Sequence, residues 1–178
     1  MIRCYITDRN LRGLHNAVRQ KVEWIQVRDK ELSARALMHL TSQVSATAPA
    51  TKVIVNSRMD VAIVAGAAGL HLPSNSAPAS SYRAIAPAGF LIGVSCHATD
   101  EVRRAEQEGA DYVVFGPVFA PLSKTSHFPP CGLGQLEQAA LAVKIPVLAL
   151  GGITLENSQA CIEAGARGIA AISLFETC

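Results

Sequence analysis

Three short stretches carry residues whose types and spacing could do chemistry. "QVRDK" sets Gln26, Arg28 and Lys30 at every second position, so on an extended segment all three point the same way. An amide and two cations on one face suit a small anionic ligand, although a solvated ring of salt bridges would use the same residues. "ALGGIT" ends an apolar run in Gly151-Gly152 and opens a helix at Thr154. Glycines let backbone N–H groups approach a phosphate, and the helix N-terminus favours its charge. An ordinary tight turn would read the same way. "LIGVSCHATDE" runs from strand-like residues into a charged helix start, with His97 at the hinge. An imidazole there can accept and return a proton near neutral pH. The competing reading is a packing histidine satisfied by a backbone carbonyl.

Covalent and metal chemistry fit these residues less well. Cys96 adjoins His97, but successive side chains on a strand face opposite ways, so the pair should diverge. Ser95 shares a face with His97, yet no G-x-S-x-G elbow surrounds it. The five cysteines, at 4, 96, 131, 161 and 178, show no paired spacing of the metal-binding kind, with or without His71 and His97. Their odd number suits reduced thiols in a cytosol, and a cytoplasmic location is expected. His127, in "KTSHFPPCG", reads as an exposed loop residue.

The elements that must position these groups follow from hydrophobic runs. Eight recur: "IRCYIT", "WIQVR", "KVIVN", "GLHLP", "LIGVS", "YVVFG", "PVLALGG" and "GIAAIS". They are nearly continuous rather than alternating, as expected of parallel strands covered by helices. Between them lie helix-like stretches such as "ELSARALMHLTSQV", "TDEVRRAEQEG" and "TLENSQACIEAG". Thr99 and Thr154 stand where N-caps belong, and Gly109 and Gly165 where helices should end. Eight alternations predict one (β/α)8 TIM barrel over residues 1–178. An open doubly wound sheet would carry a Gly-rich first turn, which "YITDRNLRG" lacks. Only "LFETC" follows the last run, so the closing eighth helix is expected to be missing or reduced. That predicts an uncovered apolar stripe beside strand eight, and hence a homo-oligomer.

In such a barrel the active site lies at the C-terminal strand ends. Those ends carry Gln26, Arg28 and Lys30, then Asn56 and Ser57, His71 and Ser74, Ser95 and His97, Lys124, Gly151-Gly152, and Ser173. A packed core would not need polar residues gathered at one end of every strand after the first. A small, polar, anionic ligand would. Composition narrows the partners further. Apolar residues make up 49% and charged residues 17%, which excludes disorder. A net charge of +2 and 5% aromatics argue against nucleic acid and anionic membranes as partners. No stretch has the length of a transmembrane span or a secretory signal.

The blocks "IQVRDK", "VNSRMDVA", "GLHLP", "IGVSCHATDEV", "GADYVVFGPVF", "PVLALGGIT" and "GARGIAAIS", in this order, are similar to the thiamine phosphate synthase superfamily, which also contains thiazole tautomerases. In synthases two aspartates help hold Mg²⁺ on a pyrophosphate. Here Ser57 and Ser76 stand at their positions, and the phosphate-gripping loop keeps Ser123 and Lys124 but loses one hydroxyl. Hydroxyls are poor substitutes for the carboxylates Mg²⁺ usually takes, and "LPSNS" resembles the tautomerase branch. The resemblance therefore implies a metal-free proton shift that aromatises a carboxythiazole phosphate. His97 would move the proton, and the substrate is a small phosphorylated thiazole. Phosphate would sit on Gly151, Gly152, Ile172 and Ser173, with Lys124 adding charge and Arg28 or Lys30 meeting the carboxylate. Gln26, Asn56, His71, Ser95 and Ser123 complete the expected substrate contacts. No cofactor is expected, with Mg²⁺ required only if synthase activity is retained. The alternatives are that synthase, which joins a hydroxymethylpyrimidine pyrophosphate to a thiazole phosphate, and a non-catalytic phosphate-binding barrel.

Overall fold

The computed structural model describes residues 1–7, 9–120 and 129–176. Eight strands close into a parallel barrel in sequence order. They are β1 (Ile2–Ile6), β2 (Trp24–Val27), β3 (Lys52–Asn56), β4 (Gly69–Leu72), β5 (Leu91–Cys96), β6 (Tyr112–Phe115), β7 (Val147–Leu150) and β8 (Gly168–Ala171). β8 pairs back onto β1, from Ile2 opposite Gly168 to Tyr5 opposite Ala171. Seven helices follow the first seven strands: α1 (Leu14–Arg19), α2 (Ala34–Thr47), α3 (Met59–Val64), α4 (Ala79–Arg83), α5 (Thr99–Gln107), α6 (Gly132–Leu141) and α7 (Leu155–Glu163). The fold matches the barrel expected from the eight apolar runs.

Those runs are continuous because both strand faces are buried. Cys4, Ile6, Trp24, Ile54, Tyr112, Val114, Leu148 and Ala170 fill the barrel interior as one cluster. Their neighbours in the chain, such as Tyr5, Ile25, Val113 and Phe115, pack outward against the helices in a second, larger cluster. Period-two geometry thus divides one apolar run between two cores.

Of the four helix ends marked in the sequence, Thr99, Gly109, Thr154 and Gly165, three follow local chemistry as expected. Thr154 caps α7 through a reciprocal pair of bonds with Asn157, at 2.8 and 3.3 Å. Gly109 and Gly165 adopt φ of +86° and +91° where α5 and α7 give way to the next strand. Thr99, expected to be an N-cap, is instead the first residue of α5, behind an extended Ala98 with no side-chain cap. Glu101 in the first turn reaches back and accepts from the His97 N–H at 2.6 Å, so the end is served from inside the helix.

No eighth helix follows β8 among the described residues. A single 3₁₀ turn, Ser173–Phe175, takes its place. Phe175 packs edge-on against Tyr5 at 5.6 Å, and its carbonyl accepts from Asn16 Nδ2 at 3.2 Å. β8 is buried along its length, so the open apolar stripe expected beside it is not there. The argument for a homo-oligomer loses its premise. Among the described residues the large apolar side chains that stay exposed are Met1, Ile63, Val64, Ile85, Leu141 and Leu155. Among the described residues no helix is long and apolar enough to cross a membrane.

Candidate active site

The C-terminal strand ends form a mouth with two unlike sides. Around β1, β2 and β8 lies a cavity of about 620 Å³, lined by Thr7, Arg9, Arg12, Arg28, Lys30 and Ile172 together with three acids. Two of those acids are already engaged. Asp29 accepts from Arg9 Nε at 2.7 Å and Nη2 at 3.1 Å, and from the backbone N–H groups of Glu31 and Leu32. The Arg9 guanidinium foremost, helped by those amides, holds the Asp29 carboxyl down at about 2. Glu31 also meets Arg9, at 2.8 Å. The third acid, Glu176, lies 3.8 Å from Arg12. Arg28 and Lys30 make no ion pair among the described residues. Their charge faces the cavity uncompensated by a partner.

Gln26 lies inward of these cations, 2% exposed. Its Nε2 has no hydrogen-bond partner among the described residues. A buried amide donor left without an acceptor is costly, and such groups commonly belong to a ligand or water.

Across the mouth, β4, β5 and β6 hold a chain of neutral groups. His71 is buried, with Nδ1 3.1 Å from the Tyr112 hydroxyl and Nε2 2.9 Å from Ser95 Oγ. Burial, and secondarily the charge of Arg28, push its pKa down to about 3. The Tyr112 ring also packs on Trp24 at 4.7 Å. His71 therefore lies under the surface of the mouth, and of the three only Ser95 is half-exposed.

His97 stands at the end of β5, half-buried, with Nδ1 on the Gly116 carbonyl. A carbonyl only accepts, so Nδ1 carries the proton. The bond ties the end of β5 to the segment after β6.

Gly151-Gly152 and Ile172-Ser173 emerge side by side, because Leu150 stands opposite Ala170 in the β7–β8 register. Both glycines have positive φ, +100° and +60°. A Cβ on Gly151 would collide with Pro117, and one on Gly152 with the Ala120 carbonyl. Close packing against the segment after β6 is thus a second reason for glycine here. Ser123, Lys124 and His127 lie outside the described residues.

Asn56, at the end of β3, is nearly buried and donates from Nδ2 to Ser57 Oγ at 2.7 Å. Ser57 holds φ +64°, and the Ser76 hydroxyl donates to the Ala77 carbonyl at 2.8 Å. These two serines do not fit a magnesium ion. They offer neutral oxygens already committed to protein neighbours, where a hard dication takes carboxylates. No group of three His, Cys, Asp or Glu side chains that could hold a metal occurs among the described residues.

Sequence reasoning misses Arg9, Arg12 and Tyr112. The first two follow β1, whose end falls outside the predicted polar ring because "TDRNLRG" shows no alternation. Tyr112 sits in the apolar run "YVVFG" and reads as core. Its signal is Gly93, a strand glycine with no turn to explain it.

A family profile described as thiamine monophosphate synthase matches residues 2–175. The thiamine-phosphate synthase of Methanoculleus marisnigri is 46% identical over 151 residues, covering 84% of this chain and 72% of that protein. The putative thiamine-phosphate synthase 2 of Aquifex aeolicus is 39% identical over 181 residues, covering 96% and 95%. Among solved structures, thiamine phosphate pyrophosphorylase from Pyrococcus furiosus superposes with a TM-score of 0.86 at 30% identity, over 99% of this chain and 88% of that one. These similarities overturn the tautomerase reading. It rested on two lost carboxylates, whereas the likeness to synthases runs along nearly the whole chain.

Proposed function

The chain belongs to the thiamine monophosphate synthase family, and from that membership we propose that it joins a hydroxymethylpyrimidine pyrophosphate to a thiazole phosphate, giving thiamine phosphate and pyrophosphate. The observation that carries this reading is 39–46% identity, over 84–96% of the chain, to proteins named thiamine-phosphate synthase or putatively so. It favours a transferase over an isomerase or a non-catalytic barrel.

In this reaction the thiazole nitrogen uses its lone pair to bond the pyrimidine methylene carbon. The carbon–oxygen bond to pyrophosphate breaks, and its electrons leave with the pyrophosphate. Negative charge develops on the leaving oxygen, where fixed cations stabilise it. Arg28 and Lys30, with Arg9 and Arg12 beside them, line the cavity suited to that leaving group. The buried, unpartnered Gln26 amide supplies a further donor. The thiazole phosphate is assigned to the adjoining ends of β7 and β8, at Gly151, Gly152, Ile172 and Ser173, and the expected contributions of Ser123 and Lys124 lie outside the described residues.

The nucleophilic nitrogen bears no proton, so bond formation needs no general base. His97 is then a positioning group, its ring N–H bonded to the Gly116 carbonyl and its backbone N–H to Glu101. The test is to supply both substrates with magnesium, measuring thiamine phosphate by fluorescence after oxidation and pyrophosphate by enzymatic hydrolysis. Both products are expected together, and neither from one substrate alone. Pyrophosphate release without the joined product, or no reaction, would overturn the proposal.

A further inference from the structure

The cations at the mouth have an acid in their midst. Asp29 stands between Arg28 and Lys30 in the chain, and all three line the cavity around β1, β2 and β8. We infer that Arg9 serves the bound pyrophosphate through Asp29: it neutralises that carboxylate, so that Arg28 and Lys30 keep their full charge for the anion. This rests on the synthase reading, which puts pyrophosphate here, and adds a positioning residue to it.

Geometry sets Asp29 apart from the acid beside it. Its side chain is 7% exposed, whereas that of Glu31 is 81% exposed. Water screens Glu31, but it does little for an enclosed carboxylate. One oxygen of Asp29, Oδ1, accepts from the backbone N–H groups of Glu31 and Leu32 at 2.8 and 3.1 Å. Those bonds hold the turn that carries Lys30, and they favour the ionised acid. Asp29 is therefore needed by the turn and adverse to an anionic ligand. Like charges in one cavity repel, and more strongly where water is partly excluded.

The compensating charge comes from the segment after β1. Arg9 reaches Asp29 with Nε at 2.7 Å and Nη2 at 3.1 Å, a two-pronged contact that engages both oxygens. Arg28 and Lys30 are spared that task, and neither forms an ion pair among the described residues. Thr7 sets the spacing. It donates its N–H to the Gln26 carbonyl at 2.9 Å, and its hydroxyl accepts the Arg28 N–H at 3.2 Å. Thr7 is buried, and it holds the chain carrying Arg9 alongside the chain carrying Asp29.

A charge-compensation cycle tests this. Calorimetry with inorganic pyrophosphate, magnesium present, compares wild type, Arg9→Gln, Asp29→Asn and the double variant. Arg9→Gln leaves Asp29 ionised at neutral pH, because an aspartate ordinarily titrates near 4. Affinity should then fall roughly 10-fold. Adding Asp29→Asn removes the stranded charge, while the amide oxygen still accepts the two backbone N–H groups. The double variant should return to within about 3-fold of wild type. A direct Arg9 contact with the anion would give the same loss in both backgrounds, and a purely structural pair would give no recovery. Either result, or no loss in Arg9→Gln, would overturn the inference and leave the synthase reading in place.

Arg9→Lys keeps the charge without the two-pronged geometry, and it too should stay within about 3-fold of wild type. If Arg9→Gln does not fold, the double variant and Arg9→Lys decide. Near wild-type binding by both supports the inference, and a 10-fold loss in either overturns it. A folded wild type that does not bind pyrophosphate would overturn the synthase reading as well.

Discussion

On the β1–β2–β8 side of the mouth most of the polar groups are long, charged and exposed, whereas on the β4–β5–β6 side they are neutral and, Ser95 apart, buried. Arg9, Arg28 and Lys30 ride on the strand ends, and acids such as Asp29 hold some of them in place. Tyr112, His71 and Ser95 are built into the strands themselves, and their polar atoms satisfy one another. The difference teaches how one barrel divides its tasks. Charge is best delivered by flexible cations that water can reach before the ligand arrives, because burying them empty would be costly. Direction is best delivered from a dry interior, where an unsatisfied alternative is expensive.

The largest break in the comparison should come from the buried side. Gly93→Val would drive a branched side chain into Tyr112. Overpacking of this kind costs roughly 1–3 kcal/mol or more, which should lower the melting temperature by roughly 5 °C or more. Gly134, in α6, has open space around it and an ordinary φ, so Gly134→Ala should leave calorimetric melting unchanged or slightly raised.

On the exposed side the loss should be of binding and not of fold. Arg28→Ala removes a charge that has no structural ion pair among the described residues. Affinity for inorganic pyrophosphate, measured by calorimetry, should fall about 10–100-fold, the worth of a charge-assisted hydrogen bond. The melting temperature should stay within about 1 °C, as for other surface substitutions.

A smaller change sharpens the contrast by adding charge of the opposite sign. Joint Ser57→Asp and Ser76→Asp substitution should tighten magnesium binding, since it supplies the carboxylates this ion prefers. Titration of both proteins with magnesium checks this. Equal affinity would mean that the serine positions are not where the ion is held.

The two sides should also answer differently to acid. His71 has a folded pKa of about 3, below the usual histidine range. Between about 6.5 and 3 the unfolded chain binds a proton that the folded one refuses, so stability present above 6.5 declines as pH falls. His71→Asn should flatten that slope in chemical denaturation. Asp29, with its pKa lowered to about 2, contributes stability above the usual aspartate value that is lost only as pH falls from about 4 toward 2. Asp29→Asn should leave the slope above pH 5 untouched.

Legibility in the sequence depends on range. Strand identity and the ring of strand-end residues follow from period-two geometry within each run, so Gln26, Arg28 and Lys30 group together on spacing alone. The link from Tyr112 through His71 to Ser95 depends on the register of β4, β5 and β6, which no local pattern encodes. Strand-end position alone puts His71 among the substrate contacts for that reason, whereas it lies beneath Ser95. His97 is legible as a hinge residue, but the role of base follows only from an expected proton shift. That expectation gives two substituted positions more weight than similarity along the chain. Replacing carboxylates changes what can hold a metal, while the cations proposed to meet a pyrophosphate remain.

The most direct test is the joining reaction followed by phosphorus NMR, with wild-type protein beside Arg28→Ala. Thiamine phosphate and pyrophosphate should appear in equal amounts with the wild type, and at least about 10-fold more slowly with the variant at the same subsaturating substrate, in keeping with the loss of one charge-assisted contact. No thiamine phosphate from the wild type, or an Arg28→Ala rate equal to it, would contradict the account.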